Sequence, residues 1–273
     1  MIIFVQNNFM ELKDKTVWIT GASSGIGKAL SLTFSENGAN VIISSRNEEE
    51  LKKVKAESKH PEKVKILPLD LTDFDSFKKK TETALDLFKG LDILINNGGV
   101  SQRSLAADTL LEVDQKLFDV NYFGTIGLTK TVLPYFIKNK KGQIVVISSI
   151  MGKLGTPLRS AYAASKHALH GFFDSLRAEL YNDHIDVTLI CPGYVNTNVS
   201  KNALTGDGSK FNKMDEATAK GLNPDEFAKK ALQAIQAKKH EVIISGPREK
   251  AAVFLKRFYP KFLAKAIRKV NVT

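Results

Sequence analysis

Tyr162 and Lys166 stand four residues apart in a stretch, Ser160 to about Tyr181, whose pattern predicts a helix. Residues at that spacing share a helix face, so a phenol and an ammonium can act on one group together. A nearby cation favours phenolate and lowers a tyrosine pKa from its reference of about 10. That suits proton exchange with a carbonyl or alcohol oxygen. Alone, Tyr-x-x-x-Lys reads equally well as a surface pair. Ser149 shifts the weight, because it follows the fifth apolar run, and open parallel sheets bind ligands at the carboxyl ends of their strands.

A second constellation lies near the start. The run Thr20-Gly21-Ala22-Ser23-Ser24-Gly25-Ile26-Gly27 follows a short β-branched segment and opens a helical pattern. Gly21 can take the positive φ of a tight strand-to-helix turn, Gly25 leaves the backbone open to a pyrophosphate, and Gly27 lets the helix pack closely. The free N–H groups of that helix start then face the phosphates. An ordinary turn is the alternative for a lone glycine trio, but this one has the strand-before, helix-after context that dinucleotide binding requires. The second strand ends in Ser44-Ser45-Arg46, with no acid before Glu48. An acid there would bind a ribose 2′-hydroxyl. Arg46 instead offers a guanidinium for a 2′-phosphate, or else pairs with the neighbouring glutamates. The first reading favours NADP(H) over NAD(H).

These residues need a frame to hold them. Short apolar runs at Thr16–Ile19, Val41–Ser44, Val64–Leu69, Ile93–Ile95, Ile144–Ile147, Val187–Ile190 and Val242–Ile244 alternate with helical segments. This is the pattern of an α/β fold with a doubly wound, parallel seven-stranded sheet and helices on both faces. The chain reads as one catalytic domain, residues 10–246, with a lid over 194–222, a tail over 247–273 and an extension over 1–9. Met1 to Phe9 lacks the basic start and cleavage site of a signal peptide.

At this point the chain resembles the short-chain dehydrogenase/reductases, from Lys13 to about Ser245. The motifs are Thr20-Gly-x-x-x-Gly-Ile-Gly27, Asp70-Leu71-Thr72, Asn96-Asn97-Gly98-Gly99, Asn121, Ser148-Ser149, Tyr162-x-x-x-Lys166 and Pro192-Gly193. The resemblance implies a Rossmann-type fold, an oxidoreductase activity and four catalytic residues. Tyr162 would exchange the proton and Ser149 would hold the substrate oxygen. Lys166 would bind the nicotinamide ribose and tune Tyr162, and Asn121 would support a water in the relay. Cofactor contacts are implied for Gly21, Ser23, Ser24, Gly25, Ile26, Gly27, Ser45, Arg46, Asp70, Leu71, Asn97, Gly98, Gly99, Tyr162, Lys166, Pro192, Gly193, Val195 and Thr197. The usual Asn-Asn-Ala-Gly reads Asn96-Asn97-Gly98-Gly99 here, and the lost methyl is expected to loosen that turn slightly. Dimers or tetramers are usual in the family. The segments Ser149–Lys153, Arg159–Tyr162 and Cys191–Ser209 look like the branch containing acyl/alkyl-dihydroxyacetone-phosphate reductases.

Composition narrows the rest. The single cysteine, Cys191, ends an apolar run and reads as a buried strand residue, which suits a reducing compartment and a cytoplasmic address. His167 and His170 read as packing residues off the Tyr162/Lys166 face, and no cluster has metal spacing, so no metal is expected. The net charge of +11 resides mostly in the tail, where eight bases meet one acid from Pro247 to Thr273. The basicity therefore argues little for nucleic-acid binding by the fold. Leu255, Phe258, Tyr259, Phe262, Leu263, Ala266, Ile267 and Val270 fall on one side of a helical wheel, with Pro260 dividing the tail or starting its second helix. Such a basic amphipathic segment can lie on an anionic membrane, cover the pocket, or meet a partner subunit. The lid lysines Lys201, Lys210, Lys213 and Lys220 read either as a phosphate-binding set or as a solvated loop. The expected substrate is a small lipophilic ketone or alcohol, first an acyl- or alkyl-glycerone phosphate. A 3-oxoacyl thioester, a 3-keto sphingoid base and a steroid-like ketone follow. The rival of another class is an idle cofactor- or membrane-binding protein, against which the complete set Asn121, Ser149, Tyr162 and Lys166 argues.

Overall fold

β-Branched runs pair side by side into a parallel sheet whose strands show one hydrophobic face each way. The computed structural model describes residues 10–269. Its strands are β1 Thr16–Thr20, β2 Asn40–Ser44, β3 Val64–Ile66, β4 Ile93–Asn96, β5 Gly142–Ile147, β6 Ile185–Pro192 and β7 Glu241–Ile244. Helices α1 Gly25–Glu36, α2 Glu48–Glu57, α3 Phe77–Leu87, α4 Leu111–Phe118 and α5 Gly124–Asn139 alternate with the first five. Beyond them lie α6 Ser160–Glu179, α7 Glu216–Ala219, α8 Pro224–Gln236, α9 Pro247–Phe258 and α10 Pro260–Ala266.

The seven strands are all parallel, in the order β3-β2-β1-β4-β5-β6-β7. Successive side chains alternate between the two faces. Val17, Ile19, Ile43 and Val145 pack against Leu30, Phe34 and Phe227 on one side, where α1 and α8 lie. Trp18, Ile42, Leu94 and Val146 pack against Phe77, Phe136 and Phe173 on the other. Trp18 is fully buried and its indole N–H donates to Ser44 Oγ at 2.8 Å, so the one polar atom of the largest core side chain is satisfied. The order reverses between β1 and β4, and a crevice opens outside the carboxyl ends of those two strands.

One strand boundary differs from expectation. The third strand ends at Ile66 and not Leu69, because Pro68 has no N–H for the ladder. Leu67 and Leu69 still donate to Ile43 and Ser45 carbonyls on either side of it. The 194–222 segment is irregular but not loose: its ends are tied, Asn196 N–H donating to the Leu222 carbonyl and Leu222 N–H to the Tyr194 carbonyl, and α7 forms inside it. Among the described residues no helix is long and apolar enough to cross a membrane.

Candidate active site

The cleft at the β1/β4 divide is built by glycines and one amide. Gly21 turns the chain out of β1 at φ +64°, and a Cβ there would stand 2.7 Å from Gly98 Cα. Gly27 packs so tightly that a Cβ would meet the Gly21 carbonyl oxygen at 2.2 Å. Asn97 Nδ2 donates to the carbonyls of Thr20 and Gly21 at 3.0 and 3.1 Å, while Thr20 Oγ1 accepts from the N–H groups of Asn97 and Gly98. The two strand ends are thereby locked together, leaving a cleft of about 600 Å³. Gly21, Ser23, Ser24, Gly25, Ile26, Ser45, Arg46, Asp70, Leu71, Asn97, Gly98 and Gly99 line it from the β1–β4 side, and Pro192, Gly193, Val195 and Thr197 from the β6 side. Gly27 does not line it; its part is the close helix packing. A cradle with no Cβ where the backbone must be approached, opening on a helix start, fits a dinucleotide pyrophosphate.

The Gly98 turn is not loosened. The space a methyl would occupy is taken by Leu71, whose Cδ1 would lie 2.6 Å from a Cβ on Gly98. The expectation of a slack turn is corrected: a neighbouring side chain fills the gap.

Arg46 is exposed at the cleft mouth. Its neighbours Glu48 and Glu49 pair with Lys52, and Glu50 pairs with Lys53. Among the described residues no ion pair involves Arg46.

Ser149, Tyr162 and Lys166 meet on the same cleft. Ser149 caps a short turn after β5, its Oγ accepting from Met151 N–H at 3.1 Å. Lys166 Nζ donates to the Ile147 carbonyl at 2.9 Å and stands 6.0 Å from the Tyr162 ring centre. Asn121 is fully buried in a π-helical turn, Asp119–Phe123, a wider turn that turns its side chain inward. Its Oδ1 accepts from Val100 N–H at 2.8 Å, and its Nδ2 donates to Val100 O and Ser165 Oγ. Asn121 thus holds the Gly99–Val100 turn beside Lys166, without itself lining the cleft. Burial pushes the Tyr162 phenol above its usual value, against a hydrogen bond with Ser149 and the charges of Arg159 and Arg103. Burial pulls Lys166 down to about 8. The expected lowering of Tyr162 by Lys166 is therefore corrected: burial dominates, and the cations that pull against it are Arg159 and Arg103.

Sequence reasoning missed a buried partner of this site. His170 continues the 162–166 row by one more turn and does share the Lys166 face. Its Nε2 lies 3.0 Å from Ser148 Oγ and 3.7 Å from Cys191 Sγ, and its Nδ1 lies 3.3 Å from Glu241 Oε2. Counting on by four from Lys166 was the available signal. His167, by contrast, only bonds the Ala163 carbonyl. His170, Cys191 and Glu241 converge within 4.8 Å, but opposite ring nitrogens face the other two, and Lys153 Nζ already lies 2.5 Å from the Glu241 carboxylate. His170 Nδ1 thus stands at ion-pair distance from Glu241 without a well-aligned hydrogen bond. Cys191 is buried as expected, its thiol pushed up to about 12 by burial first and the Glu241 charge second.

A second omission lies across the lid. Gln102 Oε1 accepts from Ala161 and Tyr162 N–H at 2.9 and 3.2 Å, capping the helix that carries the phenol. Arg103 and Arg159 both reach Asp215, which sits in the lid and is buried with them. Partners 112 residues apart leave no local pattern to read.

Next to the cleft, past Ser149, a larger cavity of about 1780 Å³ opens. Ile150, Met151 and Leu154 face Leu255, Leu263 and Ile267 of the tail across it. None of Asn121, Ser149, Tyr162 and Lys166 lines the larger space.

This architecture and site have relatives. A model of the family described as short chain dehydrogenase matches residues 15–207. A "Dehydrogenase/reductase SDR family protein 7-like" of Anopheles gambiae is 44% identical over 280 residues, covering 98% of this chain and 88% of that protein. A "Dehydrogenase/reductase SDR family member 7B" of Xenopus tropicalis is 42% identical over 256 residues, covering 91% and 83%. A solved short chain dehydrogenase from Burkholderia cenocepacia, in complex with NADP, superposes with a TM-score of 0.78 at 23% identity, covering 94% of this chain and 99% of that one. That last likeness concerns the fold alone. With the family model spanning most of the sheet and both insect and amphibian relatives matching nearly end to end, the chain belongs to the short chain dehydrogenase family of oxidoreductases.

Proposed function

We propose that this chain interconverts a ketone and a secondary alcohol, using NADP(H) in preference to NAD(H). The observation that carries the reading is the convergence of Ser149, Tyr162 and Lys166 on one cleft at the carboxyl end of β5. When bound, the nicotinamide supplies or accepts the hydride. Ser149 holds the substrate oxygen by its hydroxyl, and Tyr162 gives that oxygen a proton or takes one from it. Lys166, held on the Ile147 carbonyl, brings its positive charge to the same face and favours the phenolate as it forms. The unpaired guanidinium of Arg46 at the cleft mouth supports the 2′-phosphate preference.

A lipophilic substrate is supported by the neighbouring cavity, whose floor is Ile150, Met151 and Leu154 and whose rim carries Lys220, Lys230 and Arg248. An apolar chain beside a basic rim suits an acyl- or alkyl-glycerone phosphate first. The 3-oxoacyl thioesters, 3-keto sphingoid bases and steroid-like ketones come next. Self-association, usual for the family, belongs to the same reading.

The test is nicotinamide fluorescence on titrating NADPH and NADH into the purified protein, followed by a ketone screen. NADPH should bind about tenfold or more tightly than NADH, and Arg46→Ala should remove the difference, since a charge-assisted contact contributes about 1.5–3 kcal/mol. Tyr162→Phe should keep cofactor binding and lose about 100-fold or more in turnover. A Tyr162→Phe protein that still reduces the ketone at the normal rate rules out the assigned chemistry.

A further inference from the structure

The tail has two apolar sides, and only one is used within the chain. Leu255, Leu263 and Ile267 turn inward onto Ile150, Met151 and Leu154. Phe254, Phe258, Tyr259 and Phe262 turn outward and are 56%, 61%, 59% and 61% exposed, the two rings of Phe254 and Phe258 lying 4.6 Å apart. Four large rings, three on the two helices and Tyr259 at the joint between them, form a patch that folding alone does not explain. The same two helices expose Lys250, Lys256, Arg257, Lys261 and Lys265, and Arg268 follows them. Among the described residues none of these six cations is in an ion pair, and Glu249 is the only acid beside them.

We propose that the outer face of α9 and α10 docks on an anionic lipid bilayer. Both the charge and the side-chain types of this face complement such a surface. Aromatic rings are favoured at the boundary between headgroups and acyl chains, and bases flanking them pair with lipid phosphates. Each base near an anionic surface adds to the attraction, which falls off within a Debye length. A second copy of the same face would oppose these cations with an identical set, so a symmetric pairing through this patch is disfavoured. A nucleic acid is disfavoured too: Phe254 and Phe258 pack with tilted rings, 41° out of parallel, and so do not present the flat, parallel platform on which bases stack. Docked this way, the inner side of the same helices still walls the cavity beside Ser149, so that cavity lies next to the lipid surface. The inference stands apart from the proposed reaction, because it needs no turnover.

The test is co-sedimentation of the full chain with vesicles of phosphatidylcholine alone and of phosphatidylcholine mixed with phosphatidylserine. Binding to the mixed vesicles should be about tenfold or more tighter, and should weaken steeply with added salt. Lys261→Glu with Lys265→Glu should abolish the preference, and Phe258→Ser with Phe262→Ser should weaken binding, both without a change in melting temperature. Phe262→Trp, which keeps size and aromatic character, should shift its emission to the blue on mixed vesicles. Equal binding to both vesicle types, no binding, or an unshifted emission overturns the proposal. So does self-association in the absence of lipid that disappears with Phe258→Ser and Phe262→Ser.

Discussion

His170 Nε2 lies 3.0 Å from the Ser148 hydroxyl, one residue before Ser149. The helix that carries Tyr162 and Lys166 therefore grips the end of β5 twice, through Lys166 on the Ile147 carbonyl and through His170 on Ser148. Gly152 makes room for the second grip: a Cβ there would come within 2.7 Å of His170 Nε2. Replacing His170 by Phe keeps the volume but leaves the buried Ser148 hydroxyl without this partner. The expected cost is about 1–3 kcal/mol of stability, with Ser148→Ala costing less, near ~1 kcal/mol. Urea midpoints of the two single variants and the double one measure it. An additive double variant would mean that the two side chains do not hold each other.

The Arg103–Asp215 pair is buried on both sides, with side chains 2% and 0% exposed, and Arg159 leans on the same carboxylate. Arg103 also donates to Ser101 Oγ at 2.9 Å and to the Gln102 carbonyl at 2.6 Å, so the guanidinium ties the lid to the loop that caps α6. Asp215→Ala should cost about 3–5 kcal/mol, because it leaves two arginines in the interior without their carboxylate. Protease nicking within 194–222 should accelerate in parallel. A variant that melts and is cleaved like the parent would show that the lid is held by its backbone bonds instead.

Much of the frame was legible because its signals are local. The β-branched runs, the Gly21–Gly27 turn and the Tyr162/Lys166 spacing each sit within a few residues, and periodicity reports them. Boundaries went wrong where one residue broke a pattern, as Pro68 does after Ile66. Long-range pairs such as Arg103 with Asp215 have no periodic trace. The tail shows the other limit: a helical wheel combines Leu255 and Leu263 with Phe258 and Phe262 into one stripe, but it cannot say how much of that stripe the body can cover. Packing against Ile150 and Met151 uses the aliphatic part and leaves the rings outside. His170 was a different kind of miss, since its spacing from Lys166 was plain while its partner Glu241 was out of sight.

Gly98 sits where a methyl would meet Leu71 Cδ1 at 2.6 Å. Gly98→Ala should therefore lower stability by about 1–3 kcal/mol through overpacking. Shortening the neighbour, in Gly98→Ala with Leu71→Val, should recover most of it, because the contact is with the end of a flexible side chain. Thermal melts of the single and double variants decide the matter. A Gly98→Ala protein as stable as the parent would mean that Leu71 moves aside freely.

Lys166 makes the cofactor-free protein respond to alkali in an uncommon direction. Burial holds its ammonium at about 8 in the folded chain, against an ordinary value of 10.5. Between those values the unfolded chain binds a proton that the folded one has released, so stability rises with pH through that window and is lost as pH falls toward 8. Cys191 acts the other way, but chiefly above its ordinary value of 9.0, because the folded thiol keeps its proton up to about 12. From about pH 8 to 9 Lys166 dominates, with a slope of at most ~1.4 kcal/mol per pH unit, and the unfolded Cys191 thiol offsets a growing part of it toward pH 9. Denaturant midpoints measured across it should climb for the parent protein and fall slightly for Lys166→Met, where only the Cys191 contribution remains. Equal slopes in the two proteins would mean that Lys166 is solvated in the free enzyme and keeps its charge to higher pH.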